Sequence, residues 1–303
     1  MSLIKKNILL LVFVQASNYL FPLLTLPYLM RVLGDANFGL LVMAQAWIQY
    51  AIILTDYGFN LSATRLIALS RGSKREINEI YTQTIFAKSI LVLISYFFIF
   101  AYGFACDFNG LFNLVLISSL SLIGTLLFPI WLFQGLEKMK GIVITSSVAK
   151  TIAILLIFIL VKNKDDIYYA AFAQSLGFFI AGVVSCIYIY RFNLASITCV
   201  SFLSVKNTFK DGFDLFVSNV FVSLYTTLNV LIIGYYLNAT AAGFFSAADK
   251  LRVAVQGLLS PVQQAVYPQV NLLVNDGIKL NDLFLGSVFH NSIIKKKLKR
   301  KIY

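Results

Sequence analysis

A chain of 303 residues that is 59% hydrophobic and only 13% charged, with mean hydropathy +0.82, holds more apolar side chain than a water-facing surface accommodates. That balance excludes a water-soluble protein and leaves no room for a large soluble domain. The formal net charge of +12 does not point to nucleic acid, because Lys295, Lys296, Lys297, Lys299, Arg300 and Lys301 in the tail supply half of it and loops between apolar runs supply most of the rest.

In chain order, apolar runs long enough to cross a bilayer core of roughly 30 Å predict helices at about 8–30, 38–63, 83–104, 112–133, 142–161, 167–190, 213–237 and 242–273. The fold class expected is therefore all-α, a polytopic transmembrane bundle of about eight helices. The first run continues into Pro22, Pro27 and Arg31 without a small-residue cleavage site, so it reads as a retained helix. Lys5 and Lys6, the group Arg65, Arg71, Lys74 and Arg75, the pair Lys138 and Lys140, and the group Arg191, Lys206 and Lys210 fall on one side of this arrangement. Positive loops stay cytoplasmic, which predicts a cytoplasmic N-terminus in a multi-pass membrane protein.

Polar residues recurring at helical spacing inside apolar helices are costly against lipid and so mark faces turned to protein or water. The second helix carries Gln45, Gln49, Asp56 and Asn60 at offsets of four, seven and four. The eighth carries Asp249, Arg252, Gln256, Ser260, Gln263 and Tyr267, the first Asn18, Pro22 and Thr25, and the seventh Ser218, Tyr225 and Asn229. Four striped helices predict the wall of a shared cavity. Lys88 and Lys150 add ionisable groups within the spans, and each charge at mid-bilayer costs about 2.5–3.5 kcal/mol unless water, a partner or a ligand compensates. Pro22, Pro27, Pro129 and Pro268 predict bends. Cys106, Cys186 and Cys199 share no ligand spacing, so no metal site and no disulfide framework is expected.

The stretch Pro27–Gly39, PYLMRVLGDANFG, with Ala44–Tyr50 and Leu54–Ala63, LTDYGFNLSA, resembles the amino-terminal pattern of the bacterial O-antigen flippases. These Wzx-type polysaccharide transporters belong to the superfamily of the MATE exporters. Asp211–Asn219, Leu224–Asn229, Gly243–Leu251 and Pro261–Val270 resemble the start of that family's second lobe. The resemblance implies a MATE-like fold of two six-helix lobes, divided here into 1–200 as the first lobe, 201–289 as the start of the second and 290–303 as an atypical basic tail. It implies a carrier that moves undecaprenyl-pyrophosphate-linked sugar repeats between leaflets, working beside polymerase and chain-length machinery, with neither nucleic acid nor cofactor. A family member has about twelve helices, so eight helices and the tail HNSIIKKKLKRKIY imply a shortened product, with inactivity as one outcome. An internal echo fits two lobes: Arg31–Gly39 and Tyr235–Gly243 align at a constant shift, pairing Leu33 with Leu237 and Gly39 with Gly243.

On this reading Lys88, Lys150 and Arg252 attract a pyrophosphate. Gln45, Gln49, Asn60 and Gln256 hydrogen-bond sugar hydroxyls, and Asp56 and Asp249 carry a coupling proton or sodium ion. A cation-coupled drug exporter is the alternative within transport. A membrane enzyme of polysaccharide assembly is the alternative outside it, disfavoured by loops of only about 20 residues and by the lone His290.

Overall fold

The computed structural model describes residues 3–105 and 110–275. The expectations for Cys106 and for the tail lie outside the described residues, as do the side chains of Ser260, Gln263, Tyr267 and Pro268.

The first helix, α1 (Leu3–Asp56), has 54 residues. At 1.5 Å per residue it would run roughly 80 Å, far beyond one bilayer core. Gly34, at φ 75° and ψ 167°, divides it. A Cβ there would meet only the Lys164 side chain, at 3.8 Å, so glycine serves the backbone angle and not the available space. Pro22 and Pro27, the expected bend sites of this region, lie inside the helix. The remaining elements are α2 (Phe59–Leu69), α3 (Lys74–Ala105), α4 (Leu111–Ser118), α5 (Leu120–Leu127), α6 (Ile130–Gly135), α7 (Met139–Leu160), α8 (Ile167–Arg191), α9 (Phe202–Thr226), α10 (Leu228–Tyr236) and α11 (Ala239–Asn275).

Among the described residues all regular structure is helical, and six segments are long and apolar enough to cross a membrane. The first of them, Leu20–Leu69, holds both arms of α1. The chain is a multi-pass membrane protein. Each of the eight expected spans has a counterpart, but three are not continuous helices. The second breaks at Tyr57 and Gly58, the fourth at Ser119 and again at Phe128–Pro129, and the seventh at Thr227 after starting early, at Phe202.

Contacts along the bundle show the chain reversing at Gly34. Before it, Asn18 Oδ1 accepts from Lys150 Nζ midway along α7, and Tyr28 OH donates to Val161 O at its end, 2.7 Å away. After it, Asn37 Nδ2 donates to Lys164 O at 2.7 Å, and Gln45 Nε2 to Gln174 Oε1 at 2.6 Å on the returning α8. The two arms of α1 therefore run antiparallel. At the opposite end Arg71 bonds Gly135 O and Glu137 Oε1, and Lys74 bonds Asn193 O, so the connections following α2, α6 and α8 gather together.

Small residues let the helices approach closely, the usual basis of packing in lipid. A Cβ on Gly124 of α5 would fall 2.3 Å from the Phe178 backbone of α8, and one on Gly177 of α8 would fall 2.8 Å from Ala153 of α7. The start of α11 meets the second arm of α1 in the same way: a Cβ on Gly39 would fall 1.8 Å from Ala239 O, and one on Gly243 would fall 3.2 Å from Gly39 Cα. The glycines paired by the sequence echo thus touch. The core behind this crossing includes Leu33, Phe38, Leu41 and Ala242, all buried, while Leu93, Phe97, Leu155 and Ile187 project outward, suited to lipid. The chain divides into two compact units, Met1–Leu251 and Arg252–Tyr303, the division falling within α11.

Candidate functional site: two adjoining cavities

The break between α1 and α2 builds the first cavity. Tyr57 (φ 42°) and Gly58 (φ 76°) both take left-handed backbone angles, which ends α1 at Asp56. Here α9 comes backbone to backbone. A Cβ on Gly58 would lie 2.9 Å from Gly212 O, and one on Gly212 would lie 2.7 Å from Tyr57 O. The Tyr57 ring stacks on Phe216, centroids 4.4 Å apart, and meets Phe209 edge-on at 5.3 Å. Above this joint opens a cavity of about 260 Å³ with Gln49, Asp56 and Asn60 on one wall and Asn219, Ser223 and Thr226 on the other.

Asp56 is the cavity's charged group, and it is compensated from behind. Lys88 Nζ on α3 donates to Asp56 Oδ1 at 2.7 Å and to Thr125 O at 3.3 Å, while Asn60 Nδ2 donates to Asp56 Oδ2 at 3.2 Å. The Lys88 side chain is 2% exposed and that of Asp56 28%. A cation withdrawn from water needs such an anion, and the anion keeps one side toward the cavity.

The sequence-derived residues therefore separate. Gln49, Asp56, Asn60 and Lys88 come together. Gln45, expected on the same face, bonds Gln174 of α8 instead and does not line this cavity. Lys150 bonds Asn18 and lies 5.6 Å over the Phe21 ring, between α7 and the first arm of α1. Asp249 is half-buried on α11, and Arg252 Nη1 donates to Gln256 Oε1 one turn on, at 2.8 Å. The expected register Ser218, Tyr225 and Asn229, which runs from α9 into α10, does not line the cavity. Ser218 and Tyr225 are exposed, and Asn229 Nδ2 bonds Tyr225 O. The cavity wall is Asn219, Ser223 and Thr226, which also step by four and three.

A second cavity, about 330 Å³, lies on the next stretch of the same arm of α1, between it, α3 and α4. Trp47, Tyr50, Leu54, Phe98, Tyr102 and Phe112 help to line it. Its polar atoms are already engaged: Trp47 Nε1 donates to Tyr235 OH at 3.1 Å, Tyr102 OH and Tyr235 OH share a bond at 2.9 Å, and Ser95 Oγ donates to Leu91 O at 2.8 Å. Tyr50 OH donates to Ser223 O at 3.3 Å, so Tyr50 joins the wall of the apolar cavity to that of the polar one.

Among the described residues Cys186 and Cys199 are free thiols, and no group of His, Cys, Asp or Glu is placed to hold a metal ion.

These features define a polytopic helical membrane protein whose interior holds a hydrophilic chamber beside an apolar one. The chain belongs to the polysaccharide biosynthesis protein family, whose pattern it matches over residues 4–271. Among its relatives is a protein of Escherichia coli (strain K12) provisionally named an O-antigen transporter, 38% identical over 298 residues, covering 97% of this chain and 69% of that protein. Another, of Shigella dysenteriae and with the same provisional name, is 40% identical over 269 residues, covering 89% of this chain and 68% of its own length. No solved structure matches.

Proposed function

We propose that this chain is the transmembrane carrier of lipid-linked O-antigen repeat units, turning them from the cytoplasmic to the periplasmic leaflet of the inner membrane. The observation that carries the reading is the polar cavity walled on one side by Gln49, Asp56 and Asn60 and on the other by Asn219, Ser223 and Thr226, six hydrogen-bonding side chains set among lipid-facing helices. Carboxamides and hydroxyls of this kind suit sugar hydroxyls, whereas a lone compensated carboxylate suits a small coupling cation, a proton or sodium ion.

Lys150, with a carboxamide and a ring for neighbours, lies outside both cavities and is left out of the pyrophosphate's site. Residues 1–200 form the first lobe, and α11, which carries Asp249, Arg252 and Gln256, belongs to the second. The N-terminus is cytoplasmic, from the distribution of Lys and Arg. The protein moves its substrate without chemical change, handing it to polymerase and chain-length machinery.

The test is complementation of a strain lacking its own O-antigen flippase, with surface polysaccharide as the readout and membrane abundance measured in parallel. Restored polysaccharide with this chain, lost with Asn219→Leu at equal abundance, supports the proposal. Restoration untouched by Asn219→Leu, Gln49→Leu and Asn60→Leu together would remove the cavity from the mechanism.

A further inference from the structure

Resting on the carrier reading above, the geometry points to the apolar cavity between α1, α3 and α4 as the seat of the hydrocarbon chain of the lipid-linked substrate, next to its head group in the polar cavity. Three observations carry this. First, at about 330 Å³ the cavity has the size of a small-molecule site, and its lining is aromatic and aliphatic. Second, the hydrogen-bonding groups at its wall are satisfied: Trp47 and Tyr102 by Tyr235, Ser95 by Leu91 O, and Tyr50 by Ser223 O. A polar occupant would thus find few free partners, and an apolar one would strand none.

Third, the two cavities share a wall. Residues 47–54 of α1 face the apolar chamber through Trp47, Tyr50 and Leu54 and the polar one through Gln49, Ile52 and Ile53, and the Tyr50–Ser223 bond bridges the helices between them. One amphiphile whose sugars occupy one chamber and whose first chain segment enters the other satisfies both linings at once. Neither a free sugar nor a hydrocarbon alone does so. The same hydrocarbon chemistry is available from two sources, the chain of the sugar carrier and an acyl chain of the surrounding phospholipid.

The experiment measures binding of two probes to the purified full chain in nanodiscs: an oligosaccharide on a polyprenyl pyrophosphate, and the same oligosaccharide pyrophosphate without the chain. Ala51→Phe, which fills the apolar cavity, is expected to weaken the lipid-linked probe about ten-fold, as loss of a few buried methylenes would, and to leave the chainless probe unchanged. Ala51→Leu, a milder filling, is expected to fall between. A photoreactive group on the chain is expected to cross-link to α1, α3 or α4, and unlabelled polyprenyl-linked sugar, but not excess phospholipid, is expected to compete.

Equal effects of Ala51→Phe on both probes would overturn the inference, and so would competition by phospholipid alone, which would make the cavity an acyl-chain site. If the chainless probe binds and the hydrocarbon adds nothing, the inference fails and the carrier reading stands. If neither probe binds, both fail.

Discussion

Lys88 and Asp56, thirty-two residues apart in sequence, are joined by a 2.7 Å ion pair that places a cation with a 2% exposed side chain behind the carboxylate of the polar cavity. Removing one member of a buried pair leaves the other charge uncompensated, typically at several kcal/mol. Asp56 retains some exposure, so Lys88→Met is expected to cost about 3 kcal/mol, the lower end of that range. Thermal unfolding in detergent checks this. Lys88→Met combined with Asp56→Leu should recover much of the loss while transport stays absent, which separates the pair's structural role from the carboxylate's role in the cavity.

Asn219, Ser223 and Thr226 make the α9 wall of that cavity. Thr226→Val keeps the side chain's shape and removes its hydroxyl, which bonds Val222 O within the helix at 3.0 Å. Asn219→Leu removes a carboxamide. The expected outcome is a several-fold fall in flipping rate for Asn219→Leu and a smaller one for Thr226→Val, with unfolding temperatures changed little. Vesicle flipping assays with fluorescent lipid-linked sugar measure it.

At the crossing of α1 and α11 the demands on two glycines differ. A Cβ at position 39 would lie 1.8 Å from a backbone oxygen, whereas one at 243 would lie 3.2 Å from its nearest neighbours. Gly39→Ala is therefore expected to destabilise by about 1–3 kcal/mol as an overpacked site, and Gly243→Ala by less. Urea or thermal titration of the two variants side by side gives the ordering, and the reverse ordering would contradict the crossing described.

Asp166 braces the turn into α8 by accepting from the backbone N–H groups of Lys162 and Asn163, at 2.8 and 2.7 Å. Those two bonds hold its carboxyl below the ordinary range, their effect outweighing a small opposing one from burial. A carboxylate with a depressed value lends stability that is complete above its unfolded value and is lost as pH falls through the folded one. Hydrogen exchange at the amides of residues 162 and 163 should accordingly stay slow at neutral pH. After correction for the intrinsic rate, it should quicken only below about pH 4. Asp166→Asn should show weakened protection without that pH dependence.

Hydropathy located the helices because lipid imposes a length on every crossing, although α11, the counterpart of the expected 242–273, is not among the six segments of the described residues that are long and apolar enough to cross. The expected 142–161 and 167–190 lie close to Met139–Leu160 and Ile167–Arg191. The start of α3 at Lys74 escaped notice because Lys74, Arg75, Glu76 and Glu79 continue the helix beyond the apolar run. The joint at Tyr57 and Gly58 escaped because the polar spacing runs through it unaltered. At the site, Gln49, Asp56 and Asn60 were legible as a stripe. The Lys88 partnership was not, since nothing local to either residue specifies which helix stands opposite. On α9 two polar registers compete one residue apart, and only the approach of α9 at Gly58 and Gly212 decides between them.

The reversal at Gly34 has a mechanical consequence. A turn made by a single residue has no slack, so the first two crossings form a stiff hairpin that cannot slide one leg past the other. Tilting the leg that carries Gln49 and Asp56 must tow the leg that carries Asn18. Exposed loop tips are where proteases nick and where inserted tags are tolerated, and this end of the hairpin offers none. Any swing of the leg that lines the polar cavity is then felt at Lys150 of α7, which bonds Asn18 of the other leg, without a loop to absorb it.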